Sequence, residues 1–148
     1  MDESRLIEKL RRIEALFSGA TTEGERNAAE EARKRIRARL ATLQKQQPPI
    51  EYQFSLPDRW TRQVFLALLR RYGLRPYRRH GQRYSTVMVM VPQRFVDEVL
   101  WPEFQQLSDT LQAHLASITE RVVTEVLHAD QSEAKEENAT PQIGSAKG

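Results

Sequence analysis

Leu6, Leu10, Ile13 and Phe17 recur at spacings of four, three and four, and Ile7 and Leu16 widen the stripe. That is one face of a helix, and Gly19 predicts its end. Thr22 and Glu25 have the spacing of a capping box, in which each side chain satisfies the other's free backbone N–H. A second helix is therefore expected from there to about Gln46, with Ala29, Ala32, Ile36, Leu40 and Leu43 as its apolar stripe. The short Gly-Ala-Thr-Thr connection favours an antiparallel helical hairpin. Pro48-Pro49 stops the second helix, because proline lacks a donor and restricts the residue before it.

Ile50 to Phe54 then alternates apolar and polar residues, as a half-buried strand would. Ser55 is the expected N-cap of a third helix carrying Val64, Phe65, Leu68 and Leu69, with Asp58 in its first turn and Gly73 as its stop. Leu74 to Arg79 and Arg83 to Val91 read as two strands joined around His80-Gly81-Gln82. In the second, Val87, Val89 and Val91 alternate with Thr86, Met88 and Met90, so both faces are apolar and the strand is expected to be central.

From Pro92 an apolar stripe runs through Val96, Leu100, Phe104, Leu107, Leu111, Leu115, Ile118, Val122 and Val126. Pro102 should kink or split this helix near Trp101. After Asp130 the periodicity is lost and a disordered tail is expected. The pattern predicts an α+β chain: an N-terminal antiparallel helical hairpin, then a small antiparallel sheet packed by helices, with a long C-terminal helix. The expected divisions are a hairpin module at 1–47, an α+β module at 48–129 and a tail at 130–148.

Charge changes this picture in one place. The 148 residues carry a net charge of only +3, with acids and bases mixed along most of the chain. Between Arg59 and Arg83, however, there is no acidic residue, while Arg59, Arg62, Arg70, Arg71, Arg75, Arg78, Arg79 and Arg83 crowd together with His80. Such a cluster repels itself, which suggests an anionic partner. Cysteine is absent, so disulfides and thiolate metal sites are ruled out. The acidic N-terminus is unlike a signal peptide, and no apolar run approaches the length of a membrane span. These features suggest a cytoplasmic protein with no membrane association.

Ile13-Glu14-Ala15-Leu16-Phe17, the stretch from Gly24 to Ala32, Trp60-Thr61-Arg62-Gln63-Val64-Phe65, Tyr72-Gly73 and Val87 to Val91 together bear on family. Over roughly residues 5–115 their order resembles an uncharacterised bacterial and phage family, a domain of unknown function with a two-helix module followed by a small α+β module. The second helix departs from that pattern: it runs into Gln46-Gln47-Pro48 in place of a Met-x-x-His-Gly-type ending. The resemblance implies a fold and brings no catalytic residues.

For chemistry, guanidinium groups hold phosphate bidentately and tyrosines stack on bases. Tyr72, Tyr77 and Tyr84 are interleaved with the arginines. The candidate nucleic-acid-binding residues are therefore Arg59, Arg62, Arg70, Arg71, Arg75, Tyr77, Arg78, Arg79 and Arg83, contacting the backbone of DNA or RNA. The competing reading pairs these arginines with acids elsewhere in the chain. The basic face of the second helix (Arg33, Lys34, Arg35, Arg37, Arg39) reads as a solvated face, partly paired with Glu30 and Glu31.

His114 and His128 lie about 21 Å apart on one helix and cannot share a metal. Asp97, Glu98 and Glu103 read as dipole-compensating residues at a helix start, not as an acid–base pair. No catalytic residue, metal or cofactor is expected, and the chain reads as a non-enzymatic binding protein. The alternative is a structural or adaptor protein whose helical hairpin and long C-terminal stripe contact a second copy or a protein partner.

Overall fold

The computed structural model describes residues 2–19 and 28–139; the expected Thr22–Glu25 capping box lies outside them. Helix α1 (Glu3–Ser18) starts at Asp2, whose side chain accepts the Arg5 N–H, and stops at Gly19, which adopts a left-handed φ of 73°. Helix α2 (Ala28–Gln46) buries Ala32, Ile36, Leu40 and Leu43, and α1 packs on α2 with Leu6 and Ile13 buried.

Strand β1 (Ile50–Ser55) pairs antiparallel with β2 (Thr86–Val91), in a register that sets Ile50 opposite Val91 and Ser55 opposite Thr86. Between them lies α3 (Arg59–Arg71). Its N-cap is Asp58, which accepts the Thr61 N–H, and not Ser55, which is the last residue of β1. An N-cap side chain must stand just before the first helical residue to reach N2 or N3, and the helix begins at Arg59, directly after Asp58. At the other end, Gly73 takes a φ of 80°, the left-handed position expected of a helix stop.

The second expected hairpin does not form. Only Tyr77 bridges Met88, on the side of β2 away from β1, and the rest of residues 73–85 is irregular. Pro76 has no N–H for a ladder. The chain instead turns at Arg79–Gln82, where Gln82 Oε1 accepts the Arg79 N–H at 2.7 Å and Gly81 has a φ of 87°. β2 is thus flanked on both edges, by β1 and by Tyr77, in keeping with its central, apolar character.

The C-terminal helical run begins with α4 (Gln93–Phe95), passes through a π-helical turn at Val96–Leu100 and continues as α5 (Trp101–Arg121). The wide turn stands immediately before Pro102. A proline inside a helix removes one hydrogen bond and crowds the preceding turn, and an extra residue in that turn gives the ring room. The expected disturbance at Pro102 is therefore a π turn with the helical path kept.

The described residues up to Leu115 form one compact unit and those from Ala116 on a second. In the first, a single cluster joins Ile36 and Leu40 of α2, Phe65 and Leu69 of α3, Val89 and Val91 of β2, and Phe95, Leu100 and Phe104 of the C-terminal run. Phe65 is its aromatic hub: its ring meets Phe54 at 4.7 Å and Phe104 at 4.9 Å, both edge-on. In the second unit a further π turn at Val122–Val126 ends with the Leu127 N–H bonded to Val122 O at 2.9 Å. Residues 128–139 follow with no regular structure. Among the described residues no helix is long and apolar enough to cross a membrane.

Candidate functional site

The α3 helix and the irregular segment after it carry the arginine cluster. Successive helical residues point about 100° apart, so Arg70 and Arg71 must face different surroundings. Arg71 turns toward α1: its Nε and Nη2 donate to the two oxygens of Glu14 at 2.5 and 2.6 Å, and Nη2 also reaches Ala29 O at 2.6 Å. Arg70 turns the other way, into an open cleft of about 300 Å³.

Three arginines line that cleft: Arg62 and Arg70 from α3, and Arg78 from the loop. Leu66, Pro76 and Val87 supply apolar wall, and Tyr77 and Tyr84 supply rings. The Arg78 guanidinium lies 4.1 Å from the centre of the Tyr84 ring, a cation–π contact. Tyr84 is nonetheless 79% exposed. Arg62 is braced, its Nη1 donating to Leu56 O at 2.8 Å and Pro57 O at 3.3 Å. Among the described residues no carboxylate pairs with Arg62, Arg70 or Arg78, nor with exposed Arg59, Arg75 or Arg83.

The cluster is therefore divided. The structure brings Arg62, Arg70, Arg78 and Tyr77 together at one cleft and engages Arg71 elsewhere. Arg79 is paired with Glu51, which also accepts the Tyr77 hydroxyl. These two contacts, the tyrosine first, hold the Glu51 carboxyl below its ordinary range, and the bond to Glu51 raises the Tyr77 hydroxyl above its own. Tyr77 is thus a fixed wall of the cleft. Tyr72, grouped by sequence with the stacking tyrosines, is buried in the core at 2% exposure.

A second feature of the fold was hidden in the sequence. Glu103, expected as a dipole-compensating residue, is fully buried. The Tyr72 hydroxyl oxygen lies 2.6 Å from Glu14 and 2.8–2.9 Å from both Glu103 oxygens. The phenol has one proton to share between the two carboxylates. Burial pushes Glu103 up to about 8, against the lowering effect of its bond to Tyr72. The Tyr72 hydroxyl thus stands between Glu103 and Glu14, and Glu14 accepts from Arg71. The same burial, with the two carboxylates, raises the Tyr72 hydroxyl far above its ordinary range. Every member of this chain has a partner, and its role is to tie α1, α3 and α5 together.

The other basic face is partly used in folding. On α2, Arg33 pairs with Glu30 and Lys34 with Glu31, as expected of a solvated helix face, while Arg37 donates to Arg71 O at 2.9 Å and Arg39 pairs with Glu98. Glu98 also accepts from Arg94, and the two arginines hold it below its ordinary range. Among the described residues no group of three or more histidines and carboxylates is placed to hold a metal ion. No protein-family model, curated protein or solved structure matches the chain.

Proposed function

We propose that this is a non-enzymatic protein that binds the backbone of nucleic acid through the arginine face formed by α3 and the loop after it. One observation carries the reading: Arg62, Arg70 and Arg78 converge on a single open cleft with no carboxylate pairing them among the described residues. Converging unpaired cations are costly to hold together, and a phosphate chain relieves that repulsion. Arg59, Arg75 and Arg83 extend the positive surface, whereas Arg71 is held by Glu14 and Arg79 is paired at the surface with Glu51.

The test is a fluorescence-anisotropy titration of random oligonucleotides at two salt concentrations, with an Arg70→Glu/Arg78→Glu variant as control. Binding should weaken steeply with salt, and the log–log salt slope should fall by roughly one per phosphate contact removed. Equal binding by the variant, at an unchanged melting temperature, would move the function away from this face. A second reading has its own support. Ile118, Val122, Val126 and Leu127 are 42–67% exposed, an apolar surface suited to a protein partner or a second copy. Contact through it would be insensitive to salt.

A further inference from the structure

We infer that the cleft takes an unpaired nucleotide, so that the ligand is single-stranded nucleic acid and not duplex; this rests on the nucleic-acid reading above. A duplex presents phosphates on a broad convex surface while its bases remain stacked inside. Contact with phosphates alone needs projecting cations and nothing more. Here the cations stand around a recess with an apolar wall of Leu66, Pro76 and Val87, and a tyrosine ring opens onto it. Its volume of about 300 Å³ is at the lower end of small-molecule clefts, enough for a single flat group.

Tyr84 is the central residue. Its ring is 79% exposed, yet the Arg78 guanidinium lies 4.1 Å from its centre. An aromatic ring left in solvent while a cation steadies it is a platform on which a base can stack, with the guanidinium extending the stack. The same Arg78, with Arg70 from α3, supplies charge for the adjoining phosphate. The bond from Tyr77 to Glu51 and the bonds from Arg62 to the Leu56 and Pro57 carbonyls hold the walls in place. The recess needs no assembly on binding. Stacking accepts any base, so little sequence preference is expected, and DNA and RNA strands offer the same chemistry.

The experiment compares, by anisotropy with the full chain, a 12-nucleotide DNA strand, the equivalent RNA strand, the corresponding duplex and an abasic strand of equal charge. One or both single strands should bind more tightly than the duplex and the abasic strand. Tyr84→Ala should weaken single-strand binding about tenfold, leaving the salt slope unchanged, and Tyr84→Phe should restore it. Tyr84 is so exposed that neither variant should lower the melting temperature. Duplex binding as tight as single-strand binding would overturn the inference and leave the backbone reading standing. So would an unchanged affinity in Tyr84→Ala alongside binding lost in the Arg70→Glu/Arg78→Glu variant. Absence of binding to every oligonucleotide would overturn both.

Discussion

At Tyr72 a single phenolic proton stands between two carboxylates, and the buried one keeps its own proton to a high pH. Glu103 binds that proton more tightly in the folded chain, where it titrates at about 8, than in an unfolded chain near 4.5. The stability it supports is complete below about pH 4.5 and is lost as pH rises through about 8, at a slope of at most about 1.4 kcal/mol per pH unit. Glu103→Gln keeps a hydrogen-bonding partner for Tyr72 and removes the titration. Urea unfolding at pH 5, 6.5 and 8.5 should therefore find the variant near parity with the parent at pH 5 and more stable by a few kcal/mol at pH 8.5. Parallel profiles would mean that Glu103 is already ionised in the fold. The neighbouring arginines give a second contrast. Arg71 grips Glu14, whose side chain is only 12% exposed, so Arg71→Met should cost about 1–3 kcal/mol after allowance for solvent at the arginine. Arg70→Met should stay within about 0.5 kcal/mol. Midpoints of chemical denaturation separate the two.

The elements follow local rules wherever those rules decide. Gly19 and Gly73 stop helices by adopting positive φ, the recurring apolar spacing sets α1, α2, α3 and α5, and the valine-rich alternation forms β2. At the start of α3 two caps compete in the sequence, Ser55 and Asp58, and sheet pairing settles the matter by taking Ser55 into β1. Asp58→Ala should then cost about 1 kcal/mol and Ser55→Ala less than about 0.5, as thermal melting would show. The π turn before Pro102 is a compromise within an element. The core-facing residues Phe95, Val99, Leu100 and Phe104 keep the helix going through a proline that would otherwise break it. The loop at 73–85 is the opposite case: its apolar alternation yields one bridge, Tyr77 to Met88, and no strand.

For the molecule, the main result is that α2 enters the same core as the sheet and the C-terminal run. Ile36, at 1% exposure, belongs to the cluster that holds Val89 and Phe95. Ile36→Ala should therefore cost about 2–5 kcal/mol, and far-UV circular dichroism and the fluorescence of Trp60 and Trp101 should change in one shared transition. Separate transitions would mean that α2 and the sheet unfold independently. The α+β class, the strands β1 and β2, most helix boundaries and the positive character of 59–83 were legible in the sequence, because periodicity, proline, glycine and charge act over a few residues. What tertiary structure alone decided was which arginine meets an acid. Glu14 and Glu51 are distant in sequence from Arg71 and Arg79 but adjacent in space, and only packing brings them together. The same packing buries Glu103, makes Tyr72 a bridge between two acids, and leaves Tyr84 in solvent beside Arg78. Whether a charge is spent inside the fold or left for a ligand depends on long-range contacts, and those exist only once the chain has folded.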